Sequence, residues 1–242
     1  MKPKAIPEQH APVPGKRTDF ADELGGLMRR LEREAMLIIE MIESGVTAFK
    51  NCDASAAAAV RRRDDEVDRE EVRIEEEALR LIALHQPVAS DLRRLTLIIK
   101  SNADLERVAD HATGLCKSVL QLEEPGPIGW PPALLEMADR LLPRAHEAVR
   151  ALQRLDAKLA EQIISDDETM DTLWRRAFEE IEQAAQSGRM SIRASLLSFR
   201  AGRELERMSD LLANICEDII YMQTGRIVRH AKRIALQKQQ ME

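Results

Sequence analysis

DLERVADHATGLCKSV (residues 104–119) returns as ELERMSDLLANICEDI (residues 204–219), 100 residues further on. Leu105, Glu106, Arg107, Asp110 and Cys116 recur as Leu205, Glu206, Arg207, Asp210 and Cys216. A recurrence this specific predicts two copies of one structural unit. It also places Glu-x-x-x-Asp twice on equivalent segments.

Outward from this pair, the pattern is helical. Leu24, Leu27, Leu31, Ala35, Ile38, Ile42, Gly45 and Phe49 follow 3-4 spacing and predict an amphipathic helix from Asp19, its N-cap, to the break at Asn51-Cys52-Asp53. Val60, Val67, Ile74, Ala78 and Leu81 predict a second helix over 55–84, ended by His85-Gln86-Pro87, because a residue before proline avoids the α region. Leu105, Val108, Ala112, Leu115 and Val119 mark a third over 90–120. The second half repeats the scheme over 132–155, kinked at Pro143, 157–186 and 190–222, with Gly225 as a C-cap.

The expected fold is all-α: two tandem three-helix bundles. Residues 1–18, with four prolines, are expected to be disordered, 19–122 to form the first bundle, 123–131 (EEPGPIGWP) to link, 132–225 to form the second, and 226–242 to be a basic tail, a fraying end or an attachment to an acidic partner or membrane surface.

Composition excludes several classes of function. The net charge of −6 provides no basic footprint for nucleic acid, and no basic helix follows a helix-turn-helix. No apolar run reaches membrane-spanning length, and the opening stretch lacks the apolar core of a secretory signal. Three widely spaced cysteines (Cys52, Cys116, Cys216) fit a reducing cytoplasm, with Cys116 and Cys216 as buried thiols. Gly-rich phosphate loops, a Ser-centred elbow and Cys-His pairs are absent.

What remains is carboxylate chemistry. The middle helix of each unit carries its own i,i+4 acidic pair, Asp64/Asp68 and Asp167/Asp171, beside Glu106/Asp110 and Glu206/Asp210. In an antiparallel hairpin, Asp68 and Glu106 lie equally far from the turn, as do Asp64 and Asp110. Asp171/Glu206 and Asp167/Asp210 match likewise, at ~1.5 Å of rise per residue. At ~100° per residue, Glu106 and Asp110 stand nearly opposite the apolar stripe, so the quartets belong on accessible faces. The plain alternative is a solvated acidic face with arginine partners. Clustered carboxylates repel one another unless a proton or cation intervenes. All-oxygen ligation suits magnesium, manganese, calcium or iron. His111 reads as a solvated or supporting residue before a ligand, and Arg107 and Arg207 as partners of nearby acids.

The stretch QPVASDLRRLTLIIKSNADLERVADHA (86–112) closely resembles the PhoU family, the accessory and regulatory proteins of bacterial high-affinity phosphate uptake. A Gln-Pro turn, an Asp-Leu-Arg start, a basic residue at Lys100 and Asp-Leu-Glu-Arg before Asp-His-Ala occur in order, and the resemblance extends over about 19–225. It implies paired three-helix bundles with pseudo-two-fold symmetry, often dimeric, and multinuclear clusters of iron, zinc, manganese or magnesium on the acidic motifs. By motif match the metal ligands are Asp64, Asp68, Glu106, Asp110, Asp167, Asp171, Glu206 and Asp210. The second unit departs from the pattern: it lacks the Gln-Pro turn and has Met208-Ser209 and Leu211 in place of Val108-Ala109 and His111.

The resemblance further implies a non-enzymatic, cytoplasmic negative regulator of phosphate genes and modulator of phosphate uptake. It would act between the ATPase subunit of the phosphate ABC transporter and a phosphate-sensing histidine kinase. Two alternatives stand beside it. One is a metal-free helical adaptor. The other is a carboxylate-bridged di-metal enzyme, disfavoured because Glu106-x-x-Ala109 and Glu206-x-x-Ser209 lack the histidine of such sites.

Overall fold

A computed structural model describes residues 14–122 and 129–228. The helices are α1 (Pro14–Asn51), α2 (Ala54–Arg61), α3 (Asp64–His85), α4 (Ala89–Leu120), α5 (Pro132–Arg154), α6 (Ala157–Ser165), α7 (Asp167–Gln186) and α8 (Ile192–Thr224). No strand occurs among the described residues. The expectations for residues 1–13, for linker residues 123–128 and for the tail beyond Val228 lie outside them.

Every apolar position named for the first three predicted helices is buried, from Leu24 to Val119. Two details differ from the sequence reading. The first helix begins at Pro14 rather than Asp19, because proline is tolerated in a first helical turn. Asp19 is exposed inside the helix rather than capping it, and Phe20 packs against the His85 ring, 4.9 Å between centroids. The middle helix of each unit is also two helices rather than one. Arg61 ends α2 and Asp64, Asp65 and Glu66 open α3, so basic and acidic residues match the helix dipoles at the break. Asp166 marks the corresponding break between α6 and α7. Pro143 lies inside α5 with its ring exposed, and the helix runs through it unbroken.

The repeats share their turn chemistry. Cys52 (φ 52°) and Leu155 (φ 50°) adopt the left-handed conformation. Each precedes an N-cap aspartate: Asp53 accepts from Ala56 N, and Asp156 from Lys158 N and Leu159 N. Gly225 (φ 70°) closes α8 as predicted.

The core is continuous through both units. Trp130, just before α5, donates to Phe49 O at 2.7 Å and stacks on the Phe49 ring, tying the second unit to the end of α1. The main seam is antiparallel α4 against α8. Lys100 is paired there with the buried Asp218, and His111 Nδ1 lies 2.7 Å from Glu204 Oε2. Gly202 packs so closely that an added Cβ would sit 2.1 Å from the Trp174 ring.

Candidate functional site

The first acidic quartet is brought together. Asp64 opens α3, Asp68 stands one turn later, and Glu106 and Asp110 face them from α4. The hairpin register is held by Asn102, which donates to Glu71 O at 2.9 Å. Partial burial raises the carboxyl of Asp64, and the neighbouring charges of Asp110 and Asp68 raise it further. Burial, then Asp110, Asp68, Glu71 and Asp64, push Glu106 up to about 7. These are the effects expected when like charges share one face. Among the described residues, no Lys or Arg forms an ion pair with any of the four.

Two participants were missed in the sequence reading. Glu71, one turn beyond Asp68, is raised by burial and by Glu75 and Asp68. Glu34 of α1 is 2% exposed, and neither carboxylate oxygen has a hydrogen-bond partner. Burial foremost, with Glu70, Glu71 and Glu106 adding to it, pushes its carboxyl up to about 8. The sequence carried a signal for Glu34: it is an acid three residues after Leu31 and four before Ile38, within the apolar stripe of α1.

The second quartet is arranged differently. Glu206 is paired with Arg203, and Asp210 lies 3.3 Å from Arg207. Asp171 is exposed on α7, and its backbone carbonyl accepts from Arg175. The side chain of Asp167 lies outside the described residues. Position 103, the counterpart of Arg203, is Ala, and Arg107 turns back to Asp104 at 3.3 Å. The expected arginine pairing of Arg107 and Arg207 therefore holds, with only Arg207 engaging a quartet acid.

His111 is half-buried against Glu204 of the other unit, a bridge across the seam. Cys116 and Cys216 are buried free thiols, pushed up by burial to about 11 and about 12.

Among the described residues, no group of three or more His, Cys, Asp or Glu side chains is placed to hold a metal ion. The first-unit acids form an electrostatically coupled field of oxygen donors. That donor chemistry, with the orphaned oxygens of Glu34 beneath it, fits a hard cation better than a thiolate- or imidazole-seeking metal. Among the described residues, no helix is long and apolar enough to cross a membrane.

The PhoU domain model matches residues 31–119 and 134–219, one match per repeat. The phosphate-specific transport system accessory protein PhoU homolog of Pseudomonas putida is 34% identical over 213 residues, 87% of this chain and 83% of that protein. The phosphate-specific transport system accessory protein PhoU of Escherichia coli is 28% identical over 211 residues, 87% of this chain and 88% of that protein. The crystal structure of PhoU from Pseudomonas aeruginosa superposes with a TM-score of 0.81 at 32% identity, covering 86% of this chain and all of that one. That of the phosphate transport system regulatory protein PhoU from Streptococcus pneumoniae gives 0.80 at 30%, covering 86% and 99%. The twofold domain match, these relatives and the repeated Glu-x-x-x-Asp helices together establish that the chain belongs to the PhoU family.

Proposed function

We propose that this protein is an accessory regulator of phosphate transport, acting as a non-enzymatic helical adaptor that restrains phosphate uptake and phosphate-gene expression when phosphate is plentiful. Its partners in this reading are the cytoplasmic ATPase subunit of the phosphate ABC transporter, the phosphate-sensing histidine kinase and a second copy of the chain. Relatives named as phosphate-specific transport system accessory proteins support the transport connection.

The observation that carries the site is the coupling of Asp64, Asp68, Glu106 and Asp110 across the α3/α4 hairpin. In the proposal these acids hold iron, manganese, zinc or magnesium, with the oxygen donors favouring the harder ions. Bound metal supplies positive charge there. With their repulsion compensated, the four acids clamp α3 to α4 and present a fixed face to partner helices. In the second unit the pairs Arg203–Glu206 and Arg207–Asp210 favour a metal-free structural role for that face.

The test is complementation. In bacteria lacking their own family member, this chain restores repression of phosphate genes at high phosphate. Tagged protein from phosphate-replete cells recovers the transporter ATPase and the kinase. Failure of both repression and recovery contradicts the proposal.

A further inference from the structure

Glu34 sits where the repeat places Met137. Each lies 19 residues before its cap aspartate, Asp53 or Asp156, and the side chain of Met137 is fully buried. The fold therefore fills this position with an apolar side chain in one unit and a carboxylate in the other. A carboxylate there is unfavourable unless something compensates it, because buried charge without partners is costly. Arg30 opposes this, but less strongly than burial and the neighbouring acids act against the charge. Both oxygens of Glu34 lack hydrogen bonds. The nearby cation, Arg30, is engaged by Glu70 at 2.8 Å and 2.9 Å.

The register shows what Glu34 lies beside. The pairs Arg30–Glu70 and Arg63–Glu40 run α1 antiparallel to α3, which sets Glu34 level with the stretch around Asp68. Its acidic neighbours are Glu70 and Glu71 of α3 and Glu106 of α4. It is thus the α1 member beneath an open acidic face formed by α3 and α4. Among the described residues the second unit differs at these points: Met137 replaces Glu34, Arg203 and Arg207 engage Glu206 and Asp210, and Ala103 stands where Arg203 would be in the first.

We propose that the two repeats have diverged in chemistry: the first alone binds a hard divalent cation, and Glu34 reaches that cation from inside the bundle as a ligand beyond the repeated motifs. This rests on the reading that the first-unit acids bind metal. It adds that the site is one-sided and draws on three helices.

The test uses full-length, chelator-treated protein titrated with Mn²⁺ and followed by electron paramagnetic resonance. Four proteins are compared: wild type, Glu34→Gln, Glu34→Met and the double variant Glu206→Gln/Asp210→Asn. Circular dichroism melts confirm folding, and Glu34→Met carries the residue the other repeat already buries. The expected result is that wild type binds Mn²⁺, both Glu34 variants bind about ten-fold more weakly or worse, and the second-unit variant matches wild type in affinity and stoichiometry. Wild-type affinity in both folded Glu34 variants overturns the role of Glu34. Loss of bound Mn²⁺ in the second-unit variant overturns the one-sidedness. Absence of Mn²⁺ binding in wild type at millimolar metal overturns both this inference and the metal reading beneath it.

Discussion

Glu34 and Met137 occupy one position in the two repeats, both buried, one acidic and one apolar. The pair has a measurable consequence for stability. The Glu34 carboxyl is pushed up from 4.5 to about 8, so the folded chain keeps a proton that the unfolded chain releases. This contribution is fully present below about pH 4.5 and is lost as pH rises toward 8, by on the order of a few kcal/mol. The raised carboxyls of Glu106, Asp64 and Glu71 act in the same direction. Urea melts in chelator at pH 5, 6.5 and 8 should show wild type losing stability as pH rises. Glu34→Met should show a flatter profile and greater stability at pH 8. Equal slopes would contradict this.

Replacing acids in the two units should have opposite consequences for metal-free stability. Glu106→Ala with Asp110→Ala removes mutually repelling groups, and stability at neutral pH should hold or rise. Glu206→Ala with Asp210→Ala removes two arginine partners, and stability should fall slightly, by about 0–1 kcal/mol per partly exposed pair. Thermal melts in chelator distinguish the two. The first variant should also raise phosphate-gene expression at high phosphate.

The seam between the units has its own test. An added Cβ at Gly114 would lie 2.5 Å from the Glu204 carboxylate, the group His111 approaches at 2.7 Å. Gly114→Ala should therefore displace Glu204 from His111, read as changed His111 ring chemical shifts by NMR at one fixed pH. Unchanged ring shifts would show that Glu204 has room to accommodate the methyl group.

Gly202→Ala should destabilise more clearly, because its Cβ would meet the Trp174 ring at 2.1 Å and Leu134 at 2.9 Å. Overpacking of about 1–3 kcal/mol outweighs the ~1 kcal/mol helix gain over glycine. A lower melting temperature and an altered Trp fluorescence spectrum are expected.

The fold was legible because apolar spacing and punctuation agree along the chain. The stripe from Leu24 to Phe49, the Gln86-Pro87 turn and the Gly225 cap each occur where the pattern put them. The breaks before Asp64 and at Asp166 were not legible, since no proline or glycine marks them. There the chain turns at charged residues that equally suit a continuous helix. Level matching across the hairpin anticipated the coupling of Asp64, Asp68, Glu106 and Asp110. It treated the second unit as a copy because it read Arg107 and Arg207 alike and passed over position 103 and its counterpart: Arg203 against Ala103 is the difference that supplies Glu206 with a guanidinium. Glu34 went unnoticed because it belongs to no repeated motif, although its phase on α1 marks it as buried.

Elemental analysis of protein purified without chelators decides whether the first-unit acids hold metal. Stoichiometric metal is expected in wild type, with its loss in Glu106→Ala/Asp110→Ala and its retention in Glu206→Ala/Asp210→Ala. Wild type free of metal, or metal retained when the first-unit acids are removed, would contradict this expectation.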